Sequence, residues 1–319
     1  MTAREKQDQD AGSPRVSVII PTCNGADRLE QLLAALERQS RPPDEILLVD
    51  SSPGAETPEP VRRPGVRTIR IAPAQFDHGG TRTMAARQAE GDILVFMTQD
   101  AVPADRQALA RLLQPFADRR IAAAYGRQLP GADATVFAEH LRLFNYPARS
   151  VVRCWRDRRT LGIKTVFISN SFAAYRKPVL AEHGFFPAKL IFGEDSCTLA
   201  RLLEHGYCVA YVSDACVYHS HNYSVAEDFR RYFDIGVFHA CQSGMLARFG
   251  TPTGAGKRYV RSEISLLIRR KKYTLLPESM LRNLAKFTAY NLGKRYTFLP
   301  RRLSMRLSMN RRWWMNSGS

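Results

Sequence analysis

Residues 91–103, GDILVFMTQDAVP, constrain the fold of this chain more than any other stretch. Ile93–Met97 is wholly apolar, preceded by a Gly-Asp turn and followed by the polar step Thr98-Gln99-Asp100. Five residues are too few for a helix, and Ile, Val and Phe suit a pleated surface, so the run reads as a central strand buried on both faces. Ligands of open α/β sheets sit just beyond the carboxyl ends of such strands. Asp100 stands there, a carboxylate of the kind that holds a divalent cation together with substrate phosphates. The competing reading makes Asp100 the cap of a helix beginning near Ala104.

The same alternation extends in both directions. Val16–Ile20, Glu45–Val49, Val66–Ile71 and Ile121–Tyr125 read as further strands. Ala26–Gln39, Gly79–Glu90 and Ala104–Phe116 read as the helices between them. This βαβ order predicts a largely parallel, doubly wound sheet. Residues 126–165 read as an irregular or helical excursion. Beyond it, strands are expected at Ser171–Tyr175 and Tyr207–Val212, with Val217–His221 extending to another edge. Helices are expected after Pro178, at Gly193–Glu204 and, as one long element, at Ala226–Phe249. A Pro/Gly linker at 251–256 leads into basic helical stretches, Ser262–Tyr273 and Pro277–Leu292.

Charge separates the two parts. The net charge is +17, and residues 244–319 hold 17 Lys and Arg against only Glu263 and Glu278. Residues 1–243 are nearly neutral, so the basicity belongs to the tail and points to an anionic surface. The start of the chain is polar, without the apolar core of a secretory signal, and no apolar run approaches bilayer length. Cys23, Cys154, Cys197, Cys208, Cys216 and Cys241 form no CxxC pair, and are expected to be reduced, buried thiols.

No GxGxxG and no GxxxxGK[ST] follows the first strand, which excludes a dinucleotide fingerprint and a P-loop. Instead Pro21-Thr22-x-Asn24 and Asp50 close two strands at one edge, where an Asp and an Asn can pair with the imide edge of a uracil-like or thymine-like base. Both are also ordinary turn residues. His78-Gly79-Gly80-Thr81-Arg82 opens a helix at that edge, offering free N–H groups and a cation to a phosphate, or simply starting a helix. Glu194 and Asp195 stand in the first turn of a helix, where only one can face the site; alternatively both complement the helix dipole. His219 and His221, two residues apart, share a face if the strand persists, and either can complete a metal site begun by Asp100.

In this order the segments VSVIIPTCNG, DSS, FDHGGTR, MTQDAVP, SNSFAAYR, GEDSCTLARLLEHGY and AYVSDACVYHSHNYS resemble the inverting family-2 glycosyltransferases of the GT-A fold. Among these the chain looks most like bacterial rhamnosyltransferases of O-antigen and polysaccharide assembly, and its tail, YNLGKRYTFLPRRLSMRLSMNRRWW, resembles theirs. The resemblance implies a Rossmann-like, mostly parallel sheet flanked by helices over 15–250. A disordered 1–14 precedes it, and a basic amphipathic, membrane-associating helical extension, 251–319, follows. It makes Asp100 the carboxylate of the family's DxD-type motif, with Mg²⁺ or Mn²⁺ as cofactor. Gln99 replaces the second aspartate here, which raises the weight of His219 or His221 as ligands.

By the same resemblance Asp195 is the general base, supported by Glu194. Asn24, Asp50 and Arg82 hold the nucleotide, with Pro21, Thr22, Gly80 and Gln99 beside them. The QxxRW signature of processive synthases is missing, so one sugar is added per encounter. The implied donor is dTDP-rhamnose, with UDP-N-acetylglucosamine or another nucleotide sugar as alternative. The implied acceptor is a lipid-linked glycan, reached by a cytoplasmic protein peripheral to the anionic inner face of the membrane. The competing class is a non-catalytic basic module on RNA or lipid. Because the tail aromatics are interleaved with Leu and Met, an interfacial helix fits them and no nucleic-acid partner is expected.

Overall fold

Every residue of Ile93–Met97 is buried, and the strand lies inside a nine-stranded sheet. The structure, a computed structural model, describes residues 13–54, 65–250 and 254–316. Most of the expected disordered N-terminus and residues 251–253 of the expected linker lie outside the described residues. The strands are β1 (Val16–Thr22), β2 (Glu45–Asp50), β3 (Val66–Arg70), β4 (Ile93–Met97), β5 (Val102–Pro103), β6 (Ile121–Leu129), β7 (Val151–Cys154), β8 (Phe172–Arg176) and β9 (Cys208–Tyr218). The α-helices longer than one turn begin with α1 (Ala26–Glu37), α2 (His78–Gln88), α3 (Ala108–Leu113), α4 (Val136–Asn145), α5 (Lys177–Glu182) and α6 (Glu194–Glu204). They continue with α7 (Val225–Cys241), α8 (Ser243–Phe249), α9 (Ala255–Arg269), α10 (Leu276–Lys294), α11 (Arg301–Leu307) and α12 (Arg311–Asn316).

The sheet order is β3-β2-β1-β4-β8-β6-β9-β5, with β7 also on β9. β3, β2, β1 and β4 are parallel, as the βαβ reading requires. β8 then runs antiparallel to both β4 and β6, and β9 is parallel to β6. Period-2 alternation sends Ile19, Leu47, Leu94 and Phe96 into one core and Val18, Ile20, Leu48 and Val95 into another. α1 and α3 cover the second core through Leu32, Leu36, Leu109 and Leu112. α2, α6 and α7 cover the first through Ala85, Leu199, Leu203, Phe233 and Val237. A sheet covered on both faces explains why its strands read as continuous apolar runs.

Several expectations need correction. The helix expected from Ala104 begins only at Ala108, after Gln107, so Asp100 does not cap it. The reason is β5: Val102 and Pro103 pair with Tyr218 and Val217 of β9 instead of entering the helix. Residues 126–165 are mostly helical or irregular as expected, but two strand pieces were not foreseen: β6 runs on to Leu129, and β7 follows α4. The long helix expected to Phe249 breaks at Gln242 into α7 and α8. The cysteines are not all reduced, buried thiols. The antiparallel register sets Cys154 opposite Cys208 with Cα atoms 4.4 Å apart, and the two form a disulfide, while Cys23 and Cys241 are exposed. A separation of 54 residues hid that pairing from any spacing rule.

The basic tail is part of this packing. α10 lies along α7 so closely that a Cβ on Gly293 would stand 2.0 Å from the Phe233 carbonyl oxygen, and one on Gly236 2.3 Å from that of Tyr290. Arg282 donates to Asp228 at 2.8 Å, and Lys286 approaches the same carboxylate at 3.5 Å. Glu263 of α9 accepts from Ser279 at 2.5 Å and Asn283 at 2.7 Å. Trp314 is buried in the first core, and Trp313 donates its indole N–H to the Lys189 carbonyl at 2.8 Å.

Gly293→Ala should therefore lower stability by about 1–3 kcal/mol, because backbone and not a flexible side chain meets the new methyl. Gly256→Ala, where a Cβ meets nothing within 4 Å, should stabilise slightly. Urea melts of the two variants check the contrast. Equal midpoints would contradict the close helix crossing.

Candidate active site

Two groups of side chains gather at the carboxyl edge of β1, β2 and β4. The first forms because β5 pairs antiparallel with the end of β9, Val102 opposite Tyr218. That register carries Asp100, two residues before β5, alongside His219 and His221, just after β9. His219 Nδ1 lies 3.4 Å from Asp100 Oδ1, and His221 Nε2 3.9 Å from Asp100 Oδ2. One ligand atom from each of the three residues falls within 4.8 Å of the others. β9 ends at Tyr218, so the histidines share a site on the irregular segment that follows the strand and not within it.

The donor set fits a divalent cation. His219 is buried, and its Nδ1 faces the carboxylate without a hydrogen bond of normal geometry. Its Nε2 lies 3.3 Å from the Ser171 hydroxyl, an outer partner that fixes the ring. Burial pushes His219 down to about 4, against the pull of Asp100 and with help from Arg142 and His221. Burial also lowers His221. Although burial works to raise Asp100, His219 and neighbouring donors hold it below its usual value. At neutral pH the group is thus one carboxylate and two neutral imidazoles, the forms that ligate metals.

The second group is the start of α6. Glu194 is buried and accepts from Arg82 Nη1 at 2.9 Å and, more weakly, from Asn170 Nδ2 at 3.4 Å. Burial alone would raise the Glu194 carboxyl, but Arg82 and His78 lower it. Asp195 points elsewhere, as successive helical residues must. It accepts from the Ser196 N–H at 2.7 Å and the Asn170 N–H at 3.3 Å. Burial, with the Glu194 carboxylate adjacent, raises Asp195 to about 7. One carboxyl is locked as an anion by a guanidinium; the other is poised to exchange a proton near neutrality.

Three consecutive residues join the two groups. Asn170 reaches Asp195 and Glu194, Ser171 reaches His219, and Ser169 accepts from Gln128 Nε2 at 3.1 Å. Asn170 is itself held by the Tyr175 hydroxyl at 2.9 Å. The other end of the Gln128 amide accepts from Arg142 Nη1 at 2.7 Å, and Arg142 is near enough to depress both histidines. Arg231 also bears on His221, beside Tyr223, which stacks on the His221 ring. The sequence reading gave no role to Ser169, Asn170, Ser171, Arg142 or Arg231, although SNSFAAYR, residues 169–176, was among the segments that carry the resemblance. A signal existed for the first three: β8 is antiparallel to β4, so its polar step, Ser169-Asn170-Ser171, precedes the apolar run instead of following it.

The residues expected to hold the nucleotide take varied positions. Pro21 pairs within β1 against Val49, and buried Thr22 reaches Asp50 at 3.4 Å. Asp50 accepts from the Ser52 N–H and hydroxyl at 3.1 and 2.7 Å, closing its own turn. Asn24 is exposed at positive φ, 44°, with its N–H on Ser52 Oγ at 3.0 Å. Gln99 clamps the Cys23 peptide from both sides, each bond 3.0 Å, and so sets the loop that carries Asn24.

The His78–Arg82 segment departs from expectation. The Gly80 N–H is bonded to Asp77 Oδ1 at 2.6 Å and so is not free for a phosphate. A Cβ on Gly79 would stand 1.8 Å from the Pro187 carbonyl oxygen, so that glycine serves backbone packing. Arg82 is buried with Glu194 and does not stand open at the edge.

Ser171→Ala should weaken Mn²⁺ binding about 10–100-fold, the usual cost of removing a partner behind a ligating histidine. Isothermal titration of Mn²⁺ in the presence of dTDP measures this without turnover. Unchanged affinity would show that Ser171 does not support the cation's ligands.

Residues 17–184 match the family described as Glycosyl transferase family 2. The chain is 42% identical over 304 residues to the O-antigen chain rhamnosyltransferase RfbN of Salmonella typhimurium, covering 95% of this chain and 96% of that one. It is 41% identical to the O-antigen chain rhamnosyltransferase WbaN of Salmonella anatum, with the same coverage. In fold it is similar to the mannosyltransferase PcManGT of Pyrobaculum calidifontis, solved with GDP-Man and Mn²⁺ (TM-score 0.63, 18% identity, 91% of this chain and 92% of that one). It is also similar to TarS 1–349 of S. aureus in complex with UDP (TM-score 0.51, 17% identity, 89% and 91%). The GT-A resemblance in the sequence is thereby established, and the chain belongs to glycosyl transferase family 2.

Proposed function

We propose that this enzyme transfers a single L-rhamnose from dTDP-rhamnose to a hydroxyl of a lipid-linked glycan during O-antigen synthesis, inverting the anomeric carbon. The observation that carries the reading is the link through Ser169–Ser171 between the Asp100–His219–His221 group and Asp195. It brings to one edge of the sheet a candidate holder for a nucleoside diphosphate and a carboxyl raised to about 7 that can serve as base. The names of the 42% and 41% identical relatives support rhamnose as the sugar.

In this reading Asn24 and Asp50 hold the base of the nucleotide at the ends of β1 and β2, with Gln99 fixing their loop. Asp100 with His219 and His221 hold Mg²⁺ or Mn²⁺, which offsets diphosphate charge when bound. Arg142 and Arg231 add fixed positive charge beside the histidines, a role the sequence reading had given to Arg82. Asp195 accepts the proton of the acceptor hydroxyl as its oxygen bonds to the anomeric carbon from the face opposite the diphosphate. The bond from that carbon to the diphosphate oxygen breaks, and its electron pair leaves on dTDP. No covalent sugar–enzyme bond forms, so one inversion results. Glu194 keeps Arg82 in place and keeps Asp195 basic by repulsion. No helix among the described residues is long and apolar enough to cross a membrane, and the acceptor's lipid is met by peripheral attachment at the inner face.

Turnover should release dTDP from dTDP-rhamnose and little nucleotide from GDP-mannose or UDP-N-acetylglucosamine in the presence of acceptor; preference for either of the latter overturns the donor assignment. Asp195→Asn should lower kcat about 10²–10⁴-fold with donor affinity intact. The sign of the pH dependence follows from the raised Asp195. Below about 7 its carboxyl is protonated and cannot accept, so kcat falls as pH drops through that value. Glu194→Gln removes a neighbouring negative charge and leaves Arg82 unpaired, both of which lower the Asp195 pKa. The acid limb should therefore shift to lower pH while activity persists. An inactive Glu194→Gln beside an active Asp195→Asn reverses the two roles.

A further inference from the structure

α10 is amphipathic in the reverse sense for a helix facing water. Its inner side buries polar groups: Ser279 is 1% exposed, Lys286 6% and Arg282 8%. Its outer side is apolar: Met280 is 69% exposed, Leu281 55%, Leu284 63% and Phe287 69%. A helix on the surface of a water-soluble domain does the opposite, turning its apolar stripe to the core. The spacing 280, 284, 287 follows one helical face, so the exposure is continuous and not scattered single residues. The inner cations are fixed by Asp228, so the helix cannot roll over to bury its apolar side without stranding them.

We propose that this outer face of α10 is a docking surface for an anionic lipid bilayer, into whose interface Met280, Leu281, Leu284 and Phe287 insert. The charge around it selects that occupant. Lys271 and Lys272 precede the helix, and Lys294 and Arg295 close it, all exposed. The acid on the helix, Glu278, is bound to Arg282. Both ends are basic, so pairing with a second copy, parallel or antiparallel, would set cations against cations. Anionic headgroups meet them favourably while the apolar stripe enters the acyl boundary. Phe298, 86% exposed just beyond the helix, extends the apolar side. The surface deepens the proposed function by naming the element that meets the acceptor's membrane, and rests on that reading only for its purpose.

The test uses the full chain and vesicles, with no sugar donor, so it stands apart from the donor assignment. The protein should float with phosphatidylglycerol/phosphatidylcholine vesicles and not with phosphatidylcholine alone, and added salt should release it. The double variant Leu284→Ser, Phe287→Ser should bind at least about tenfold more weakly. Both side chains are exposed, so its thermal melt should match the parent. In the otherwise unchanged chain, Phe287→Trp should add emission that brominated lipid quenches. Parental vesicle binding by the double variant, or no quenching of the Phe287→Trp protein on bound vesicles, overturns the proposal. So does light scattering that finds the parent dimeric and the double variant monomeric, because a second copy then covers the face.

Discussion

The antiparallel pairing of Val102–Pro103 with the end of β9 is the contact on which the rest of the site depends. Two residues of strand are a small investment in hydrogen bonds, yet they set where the chain goes after β4. With that pairing, Asp100 turns toward His219 and His221 from the other end of the sheet. Without it, the polar step after Met97 could run straight into a helix, as the sequence alone allowed, and Asp100 would be a capping residue. The neighbouring strand, β8, runs the opposite way, so its N-terminal polar step reaches the same edge. Ser169–Ser171 thus stand between the cation group and the start of α6. A mixed sheet therefore builds a site from ends of strands that an all-parallel sheet would point apart.

The basic tail shows the same economy of elements. α10 touches the rest of the domain through Asp228, and Arg282 also donates to the Tyr223 carbonyl at 2.8 Å. Tyr223 stacks on His221, so the helix that turns Leu284 and Phe287 outward is two contacts from the cation group. Farther on, Asn310 donates to the Ile191 carbonyl at 2.7 Å and Trp313 to that of Lys189, just ahead of Glu194. The tail braces both ends of the site.

Much of this was legible in the sequence for physical reasons. Buried strands cannot hide their apolar runs, so β1, β2, β4 and β8 were visible, and the polar steps at Thr22–Asn24, Asp50 and Thr98–Asp100 marked the edge where the candidate site gathers. Two features escaped because they depend on long-range register. The Cys154–Cys208 disulfide and the two-residue β5 follow from how β9 aligns with its neighbours, which local pattern does not encode. Arg82 misled for a different reason. A cation after Gly-Gly at a helix start suits a phosphate equally well, and only the fold reveals Glu194, 112 residues away, as its partner. The reversed sidedness of α10 was likewise hidden, because Leu and Lys alternate at helical spacing whichever side faces inward.

The central claim is that Asp100, His219 and His221 form one cation site facing Asp195 across Ser169–Ser171. Anomalous diffraction at the manganese edge from crystals grown with Mn²⁺ and dTDP tests it most directly. The account predicts one strong peak at the diphosphate, within about 2.0–2.2 Å of an Asp100 oxygen and of an imidazole nitrogen of His219 or His221. A peak bound by Glu194 or Asp195, or one at the diphosphate with neither imidazole in its coordination sphere, would contradict it.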